Sequence, residues 1–280
     1  NDTIAPVLSG LPSNISQSTD AGSATAIVTY TTPTATDNSS GAITIARTAG
    51  LASGAAFPIG TTTVTYTATD TAGNVHTQSF TVTITDDTAP VLSGVSSNIS
   101  QSTDASSATA IVTYTTPTAT DNSSGAITIA RTAGLASGSA FSMGTTTVTY
   151  TATDTSGNVH TQSFTVTITD DTDPVLSGVS SNISQSTDAS SATAIVTYTT
   201  PTATDNSSGA ITIARTTGLA SGAAFPMGTT TVTYTATDAS GNVHTQSFTV
   251  TINDDIAPAL SGVPSNISQS AEAGASSAIV

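Results

Sequence analysis

The sequence predicts an all-β protein made of tandem β-sandwiches that repeat every 84 residues. Prolines recur at this period, and residues 85–168 differ from residues 169–252 at only five positions. Within each repeat, short runs rich in Val, Ile and Thr alternate with clusters of turn-forming residues. Short strands separated by turns are typical of a β-sandwich. A unit copied almost unchanged favours a function that depends on length, spacing or multivalency.

The first repeat shows where the strands are expected. In chain order they are Ala5–Leu8, Asn14–Gln17, Ala24–Thr31, Ala42–Thr48, Ala55–Ile59, Thr61–Thr69 and Val75–Thr85, with weaker signals in the second and fifth. Alternation is clearest in the last two strands, where apolar residues alternate with Thr. Such period-2 alternation indicates one packed face and one solvated face.

The alternation also predicts the core of each repeat. In the first repeat it comprises Val7, Ile15, Val28, Tyr30, Ile43, Ile45, Leu51, Phe57, Val64, Tyr66, Phe80, Val82 and Ile84. Burial of each side chain contributes roughly 1.5–3 kcal/mol, and conformational entropy opposes most of this gain. We therefore expect one repeat to be only modestly stable alone.

The period divides the chain into domains. We place three repeats at residues 1–86, 87–170 and 171–254, and the first third of a fourth at residues 255–280. Ile279 and Val280 correspond to the middle of a predicted strand. We therefore expect the sequence to be a segment of a longer polymer.

Composition excludes several classes of function. The net charge of −15, with only three basic residues, argues against binding to nucleic acid or to anionic membranes. No apolar stretch is long enough to insert into a membrane. Cys and Lys are absent, so neither disulfides nor lysine cross-links stabilise the repeats. No G-x-S-x-G, G-x-G-x-x-G or P-loop motif occurs, and we expect no enzymatic activity.

One segment of each repeat resembles a known family. The run GTTTVTYTATDTAGNVHTQSFTVTITD at Gly60–Asp86, with TPTATDNSSG upstream at Thr32–Gly41 and DDTAPV at the junction, is similar to the hyalin repeat (HYR) module. The resemblance implies an immunoglobulin-like sandwich from an extracellular or adhesion protein, and it names no reaction. Animal HYR modules usually carry a Cys pair, whose equivalents here are Leu11 and Gln78. This departure points to a disulfide-free, bacterial-type version.

Carboxylates concentrate where an immunoglobulin-like sandwich receives the preceding repeat. The loops Thr36–Gly41 and Thr69–Asn74 are expected at the N-terminal end of the sandwich, which the linker also reaches. The predicted ligands are Asp2, Asp37, Asp70 and Asn74 in the first repeat; Asp86, Asp87, Asp121, Asp154 and Asn158 at the first junction; and Asp170, Asp171, Asp173, Asp205, Asp238 and Asn242 at the second.

These side chains offer oxygen ligands from flexible loops, without Cys or a His pair, which suits Ca²⁺ better than Zn²⁺ or Cu²⁺. We predict a Ca²⁺ site between repeats that stiffens the joint. The alternative is that Asp, Asn, Ser and Gly occur there only because they favour turns.

Other polar residues have simpler interpretations. His76 and its two equivalents open the last strand and are more typical of exposed strand residues than of metal ligands. Arg47 and its equivalents are expected to pair with a local carboxylate or carbonyl. The N-x-S/T pattern marks possible glycosylation sites at Asn14, Asn38, Asn98, Asn122, Asn182, Asn206 and Asn266.

Together these observations predict a secreted or cell-surface structural segment of a stalk, extender or filament. Its partners would be the neighbouring repeats of the same chain and, in a filament, other copies of the chain. The alternative is a multivalent adhesin that binds glycan or protein through each repeat. An adhesin is expected to expose aromatic platforms or variable loops, whereas the aromatic residues here are assigned to the core.

Overall fold

The computed structural model describes residues 2–271, 273, 274, 276 and 277. Positions 1, 272, 275 and 278–280 lie outside the described residues, and with them the strand expected at Ile279 and Val280. The described residues form strands, turns and irregular segments without a helix. The all-β prediction is confirmed.

The chain divides into two compact units, residues 1–104 with 108–169 and residues 105–107 with 170–280. The first unit begins with β1 (Val7–Ser9), β2 (Ile15–Ser18), β3 (Thr25–Val28), β4 (Thr34–Thr36), β5 (Thr44–Ala49), β6 (Ala55–Pro58), β7 (Gly60–Thr69) and β8 (Val75–Thr85). It continues with β9 (Val91–Ser93), β10 (Ile99–Ser102), β11 (Thr109–Val112), β12 (Thr118–Thr120), β13 (Thr128–Ala133), β14 (Ser139–Ser142), β15 (Gly144–Thr153) and β16 (Val159–Thr169).

The second unit holds the third set of strands. They are β17 (Val175–Ser177), β18 (Ile183–Ser186), β19 (Thr193–Val196), β20 (Thr202–Thr204), β21 (Thr212–Thr217), β22 (Ala223–Pro226), β23 (Gly228–Thr237) and β24 (Val243–Asn253). The described residues from position 254 onward contain no strand, although their sequence repeats that of β1 and β2. The physical reason is that β1 and β2 pair with β4 and β8, whose equivalents are not among the described residues from position 254 onward.

Each repeat is a sandwich of two layers. In the first repeat, one layer is the sheet β2-β8-β7-β5, in which β2 runs parallel to β8 and the other neighbours are antiparallel. The second layer consists of the antiparallel pairs β1–β4 and β3–β6. Buried side chains from both layers form one core. The same pairing recurs in β9–β16 and β17–β24, which confirms the predicted tandem immunoglobulin-like sandwiches.

The long hairpin β7–β8 forms the centre of the four-stranded sheet. Val64 pairs with Phe80, and both side chains are buried. On the opposite face, threonine hydroxyls pair across the strands, as between Thr61 and Thr83 at 3.1 Å. The outer face therefore carries threonine hydroxyls, several of which bond to one another, while the side chains of the inner face pack in the core.

The core differs from the prediction in the first strand. Val7 was predicted to be buried, but its side chain is 57% exposed and Leu8 is only 5% exposed. β1 has three residues, so only its central side chain can point inward. Ala26 and Ala68 are fully buried and were missed, because small residues give a weak apolar signal.

Several strand boundaries also differ from the prediction, and one strand was missed. β4 was not predicted as a strand, and its last residue, Thr36, was placed in a loop; in the structure β4 pairs with β1, with Ala35 opposite Leu8. β3 ends at Val28 and not at Thr31. Tyr30 lies beyond it because its N–H donates to Ser53 Oγ at 2.8 Å and its hydroxyl donates to the Leu51 carbonyl.

A bulge in β5 positions the only basic residue of the repeat. The register shifts between Arg47 and Ala49, and the Arg47 guanidinium donates to the Gly50 carbonyl. Gly50 has a φ of +80°, and a Cβ there would lie 2.6 Å from the Thr63 carbonyl oxygen. The predicted pairing of Arg47 with a local carbonyl is thus observed.

Candidate metal centre

Three aspartates from distant parts of the sequence meet in each repeat. One precedes the first strand, one follows the fourth strand, and one lies in the turn of the long hairpin. In each group, one carboxylate oxygen per residue lies within 4.8 Å of the others. The groups are Asp2, Asp37 and Asp70; Asp86, Asp121 and Asp154; and Asp170, Asp205 and Asp238. We call them the carboxylate clusters.

The hairpin turn holds its aspartate rigidly. Asp70 Oδ1 accepts hydrogen bonds from the N–H groups of Ala72 and Asn74, each at 2.9 Å. Asn74 Nδ2 donates to Asp70 Oδ2 at 2.8 Å. The hydrogen bond from the Asn74 side chain, with those from the backbone, lowers the pKa of Asp70. This carboxylate is therefore charged at neutral pH and fixed in position.

The same asparagine fastens the N-terminal segment to the turn. Asn74 Nδ2 also donates to the Asp2 carbonyl at 3.2 Å, and Asn158 Nδ2 donates to the Asp86 carbonyl at 3.1 Å. Asn242 does the same to Asp170 at 3.2 Å. In the structure the amide nitrogens of these asparagines are hydrogen-bond donors that hold the aspartates in place. Their role as metal ligands, through the amide oxygen, stays a prediction.

The aspartate after the fourth strand is held by a local turn. Asp121 Oδ2 accepts hydrogen bonds from the N–H and hydroxyl of Ser123. Asp37 and Asp205 are held in the same way by Ser39 and Ser207. In each case one oxygen is occupied and the other remains for a further partner.

Several oxygens in the clusters are buried and accept no hydrogen bond. They are Asp2 Oδ2, Asp37 Oδ1, Asp86 Oδ2, Asp121 Oδ1 and Asp205 Oδ1. Asp86 is only 7% exposed, and its other oxygen accepts the Thr88 N–H at 3.1 Å. An unpartnered buried oxygen on a charged group is costly, and more so where carboxylates adjoin. The donor set therefore fits a hard cation with oxygen ligands.

Three other predicted ligands lie outside the clusters. Among the described residues, Asp87, Asp171 and Asp173 are not part of any group of carboxylates within this distance. Asp87 Oδ2 accepts a hydrogen bond from Ser18 Oγ at 2.6 Å. Of each pair of adjacent aspartates, only the first belongs to a cluster.

Each cluster is complete within one repeat. Asp2, Asp37 and Asp70 form such a group from residues of the first repeat alone. The sequence suggested that a site would need residues from two repeats. That expectation came from counting Asp86 with the repeat before it, whereas its carboxylate belongs with Asp121 and Asp154 in the repeat that follows.

A different residue connects the two repeats of the first unit. Asn122 Nδ2 donates to the Ser23 carbonyl at 2.8 Å and to Thr19 Oγ1 at 3.2 Å. Its Oδ1 is buried and accepts no hydrogen bond. Sequence reasoning considered Asn122 only as a glycosylation site; its position next to Asp121 was the available signal.

The other predicted glycosylation sites differ in their surroundings. Asn14 is exposed, and its Oδ1 accepts the Thr81 N–H at 2.9 Å. Asn98 and Asn182 make the same contact with Thr165 and Thr249. A glycan is attached through Nδ2, so modification of Asn122 would compete with its contacts to Ser23 and Thr19.

The histidines have a structural role that the sequence did not reveal. His76 Nδ1 accepts the Leu8 N–H at 3.1 Å, and the same contact joins His160 to Leu92 at 3.1 Å. Each histidine thus ties the first strand of its repeat to the last strand. The prediction of a simple exposed strand residue was incomplete, because it could not anticipate that β1 passes close to the start of β8.

Comparison with known proteins identifies similar sequences. The sequence model of the HYR domain matches residues 1–84, 85–168 and 169–252. The chain is 41% identical over 284 residues to hyalin from Strongylocentrotus purpuratus, which covers 100% of this chain and 23% of that protein. It is 39% identical over 270 residues to hyalin from Lytechinus variegatus; this match covers 94% of this chain and 50% of that protein. The chain thus spans half or less of these relatives.

Solved structures give a weaker similarity. The extracellular domain of protocadherin gamma B4 is 18% identical, covering 88% of this chain and 49% of that chain with a TM-score of 0.34. No conclusion about function follows from a similarity of this size. Among the described residues, no helix is long and apolar enough to cross a membrane.

Proposed function

Because the chain belongs to the HYR domain family, we propose that it is a structural segment of an extracellular stalk, extender or filament. The repeats act without catalysis, and Ca²⁺ bound at the carboxylate clusters stiffens the joints between them. Their partners are the neighbouring repeats of the same chain and, in a filament, other copies of the chain. Nucleic acid and membrane lipid are not among the partners, in keeping with the net charge of −15.

The observation that carries this proposal is the recurrence of buried, unpartnered carboxylate oxygens in the clusters. Asp86, Asp121 and Asp154 would hold the ion at the first junction, and the equivalent aspartates would hold it elsewhere. A bound Ca²⁺ would supply two positive charges, which offset most of the negative charge of the three carboxylates. The residues themselves come from the N-terminal segment, the loop after the fourth strand and the hairpin turn, so their common attachment fixes the end of the sandwich that meets the preceding repeat.

The surfaces of the sandwich support a structural role. The outer face of the four-stranded sheet carries paired threonine hydroxyls, such as Thr67 with Thr77 at 3.2 Å. Hydroxyls that already bond to one another offer few free groups to a specific ligand. The three copies of this face are almost identical, which suits a regular polymer better than a set of different binding sites.

The alternative function, a multivalent adhesin, has less support. Phe57, Tyr66 and Phe80 are at most 6% exposed, so these aromatic side chains form no platform for a sugar ring. Specific, saturable binding on a glycan array would reverse the order of the two proposals. A bacterial cell surface is proposed only from the missing Cys pair, whereas the two hyalins are from Strongylocentrotus purpuratus and Lytechinus variegatus.

Small-angle X-ray scattering of the 280-residue chain, with Ca²⁺ and with a chelator, tests the proposal. We expect Ca²⁺ to increase the maximum dimension and to reduce the flexibility of the chain. A matched variant carrying Asp37→Asn, Asp121→Asn and Asp205→Asn should give the same scattering in both conditions. Identical scattering of the unmodified chain with and without Ca²⁺ would show that the clusters do not control the joints.

A further inference from the structure

We propose that Asn122 couples cation binding in one repeat to docking of the repeat before it. Its amide nitrogen holds the preceding repeat, and its amide oxygen is an additional ligand for the cation. The inference rests on the proposed function of the carboxylate clusters. It adds a further residue, Asn122, through which cation binding in the cluster affects the joint between the repeats.

Hydrogen-bond chemistry fixes the orientation of the amide. The Ser23 backbone carbonyl can only accept a hydrogen bond, so the group 2.8 Å from it must be the Asn122 nitrogen. The same nitrogen reaches Thr19 Oγ1 at 3.2 Å. Both partners belong to the turn that follows β2, so one side chain grips this turn from the neighbouring repeat.

The opposite end of the amide lacks a partner. With the nitrogen directed at Ser23, the oxygen must point the other way, and Asn122 Oδ1 is buried without a hydrogen-bond donor. The adjacent Asp121 Oδ1 is also buried and unpartnered, as is Oδ2 of Asp86, which is only 7% exposed. A hard cation can be coordinated by an amide oxygen and carboxylate oxygens at once.

The first repeat provides an internal comparison. Asn38 occupies the equivalent position, and no earlier repeat precedes it in the sequence. Its side chain is exposed, whereas Asn122 is partly buried. The burial of Asn122 therefore results from docking of the first repeat, and its unpartnered oxygen is a property of the joint.

Coupling of this kind is reciprocal. If docking presents Asn122 Oδ1 to the ion, the docked joint binds Ca²⁺ more tightly, and bound Ca²⁺ stabilises the docked joint by the same factor. Loss of the Asn122 side chain should therefore weaken both. Loss of the Asn38 side chain, which interacts with Asp2 in the first repeat, should leave the joint between the first two repeats unchanged. Typical coupling between sites changes affinity about 5- to 150-fold.

Two measurements on the 280-residue chain test the proposal. Calorimetric titration with CaCl₂ gives the affinity of the clusters. Spin labels attached through Ser79→Cys and Ser163→Cys give the distance distribution between the first two repeats; both positions are exposed, and the chain has no native Cys to interfere. The variants are Asn122→Ala, Asn122→Asp and the matched control Asn38→Ala.

We expect Ca²⁺ to narrow the distance distribution of the unmodified chain and of Asn38→Ala. In Asn122→Ala one site should bind at least about fivefold more weakly, and the distribution should stay broad. Asn122→Asp keeps an oxygen ligand but loses the donor to Ser23, so it should bind Ca²⁺ and still remain broad.

The outcomes separate the two proposals. If the unmodified chain does not bind Ca²⁺, the proposed function fails. If it binds and narrows while Asn122→Ala behaves identically, the clusters work without Asn122 and the coupling is refuted. If Asn122→Asp narrows as the unmodified chain does, the amide nitrogen has no part in docking.

Discussion

Replacement of Asp86 by Asn should stabilise the chain without Ca²⁺, and this advantage should be lost when Ca²⁺ is present. Asp86 and Asp121 place like charges within 4.8 Å of each other. Their repulsion is about 0.9 kcal/mol at a water-like dielectric constant and about 3.5 kcal/mol at an effective value of 20. Repulsion from Asp154 acts in the same direction. The substitution keeps an oxygen to accept the Thr88 N–H, so in chelator the variant should be more stable by roughly 1 to 3 kcal/mol.

Calcium should remove this advantage. At an ion concentration one hundred times the dissociation constant, binding to the folded state adds about 2.7 kcal/mol of stability. The variant loses one of three carboxylates and most of this gain. The stability difference between the two chains should therefore shift by about 2 to 3 kcal/mol in favour of the unmodified chain when Ca²⁺ replaces chelator.

Urea unfolding followed by circular dichroism, in chelator and in saturating Ca²⁺, measures both differences. Asp87→Asn is the matched control, because Asp87 is adjacent in sequence, lies outside the cluster and removes the same charge. A destabilised Asp86→Asn chain in chelator would show that the cluster is stabilised without an ion. An equal response of both variants to Ca²⁺ would mean that the ion acts on net charge and not at the cluster.

Three further predictions concern single repeats. Ser106 has a φ of 58°, and the equivalent residue of the first repeat is Gly22. Ser106→Gly should raise the free energy of unfolding, measured with urea, by roughly 0.5–1 kcal/mol. A lower urea midpoint for this variant would show that the turn is not strained. Gly50→Ala should cost at least about 2 kcal/mol, because φ is +80° and the new Cβ would lie 2.6 Å from the Thr63 carbonyl oxygen; wild-type stability would mean that the bulge relaxes freely. Burial, with a hydrogen bond to the Tyr66 side chain, raises the pKa of Tyr30 to about 12, above its ordinary value of 10.0. The folded state favours the neutral phenol, so the stabilisation should be full below pH 10 and should be lost as the pH rises toward 12. In a titration followed by tyrosinate absorbance, one tyrosine per repeat should ionise at a higher pH than the others. Ionisation of Tyr30 at its ordinary pKa without unfolding would contradict this.

The parts of the fold that follow local rules could be predicted from the sequence. The alternation in β7 and β8 identifies their buried faces, because side-chain direction in a strand has a strict period of two. A three-residue strand is too short for alternation to show which side chain points inward. For this reason Val7 was predicted to be buried, whereas Leu8 is the buried residue. β4 was missed for a similar reason, since Thr-Ala-Thr becomes a strand only through its pairing with β1.

The sequence predicts which residue types form the candidate site, but it does not predict which of the neighbouring residues belong to it. The loops that carry Asp121 and Asp154 could be placed at one end of the sandwich from the order of the strands. Which of Asp86 and Asp87 joins them depends on the direction of adjacent side chains in an extended linker, and the sequence carries no signal for that direction. Asn122 depends on a contact between repeats, which only the folded chain reveals.

The attachment of Arg47 to the Gly50 carbonyl has a consequence for durability. Arg47, Arg131 and Arg215 are the only basic residues in the chain, and each lies in a paired strand with its guanidinium bound to a nearby carbonyl. Proteases that cleave after basic residues need an extended, accessible segment around the target. Cleavage therefore has to wait until β5 or its equivalent leaves the sheet, and its rate follows the opening of the repeat. For such enzymes, the lifetime of the intact chain is set by how often one sandwich opens.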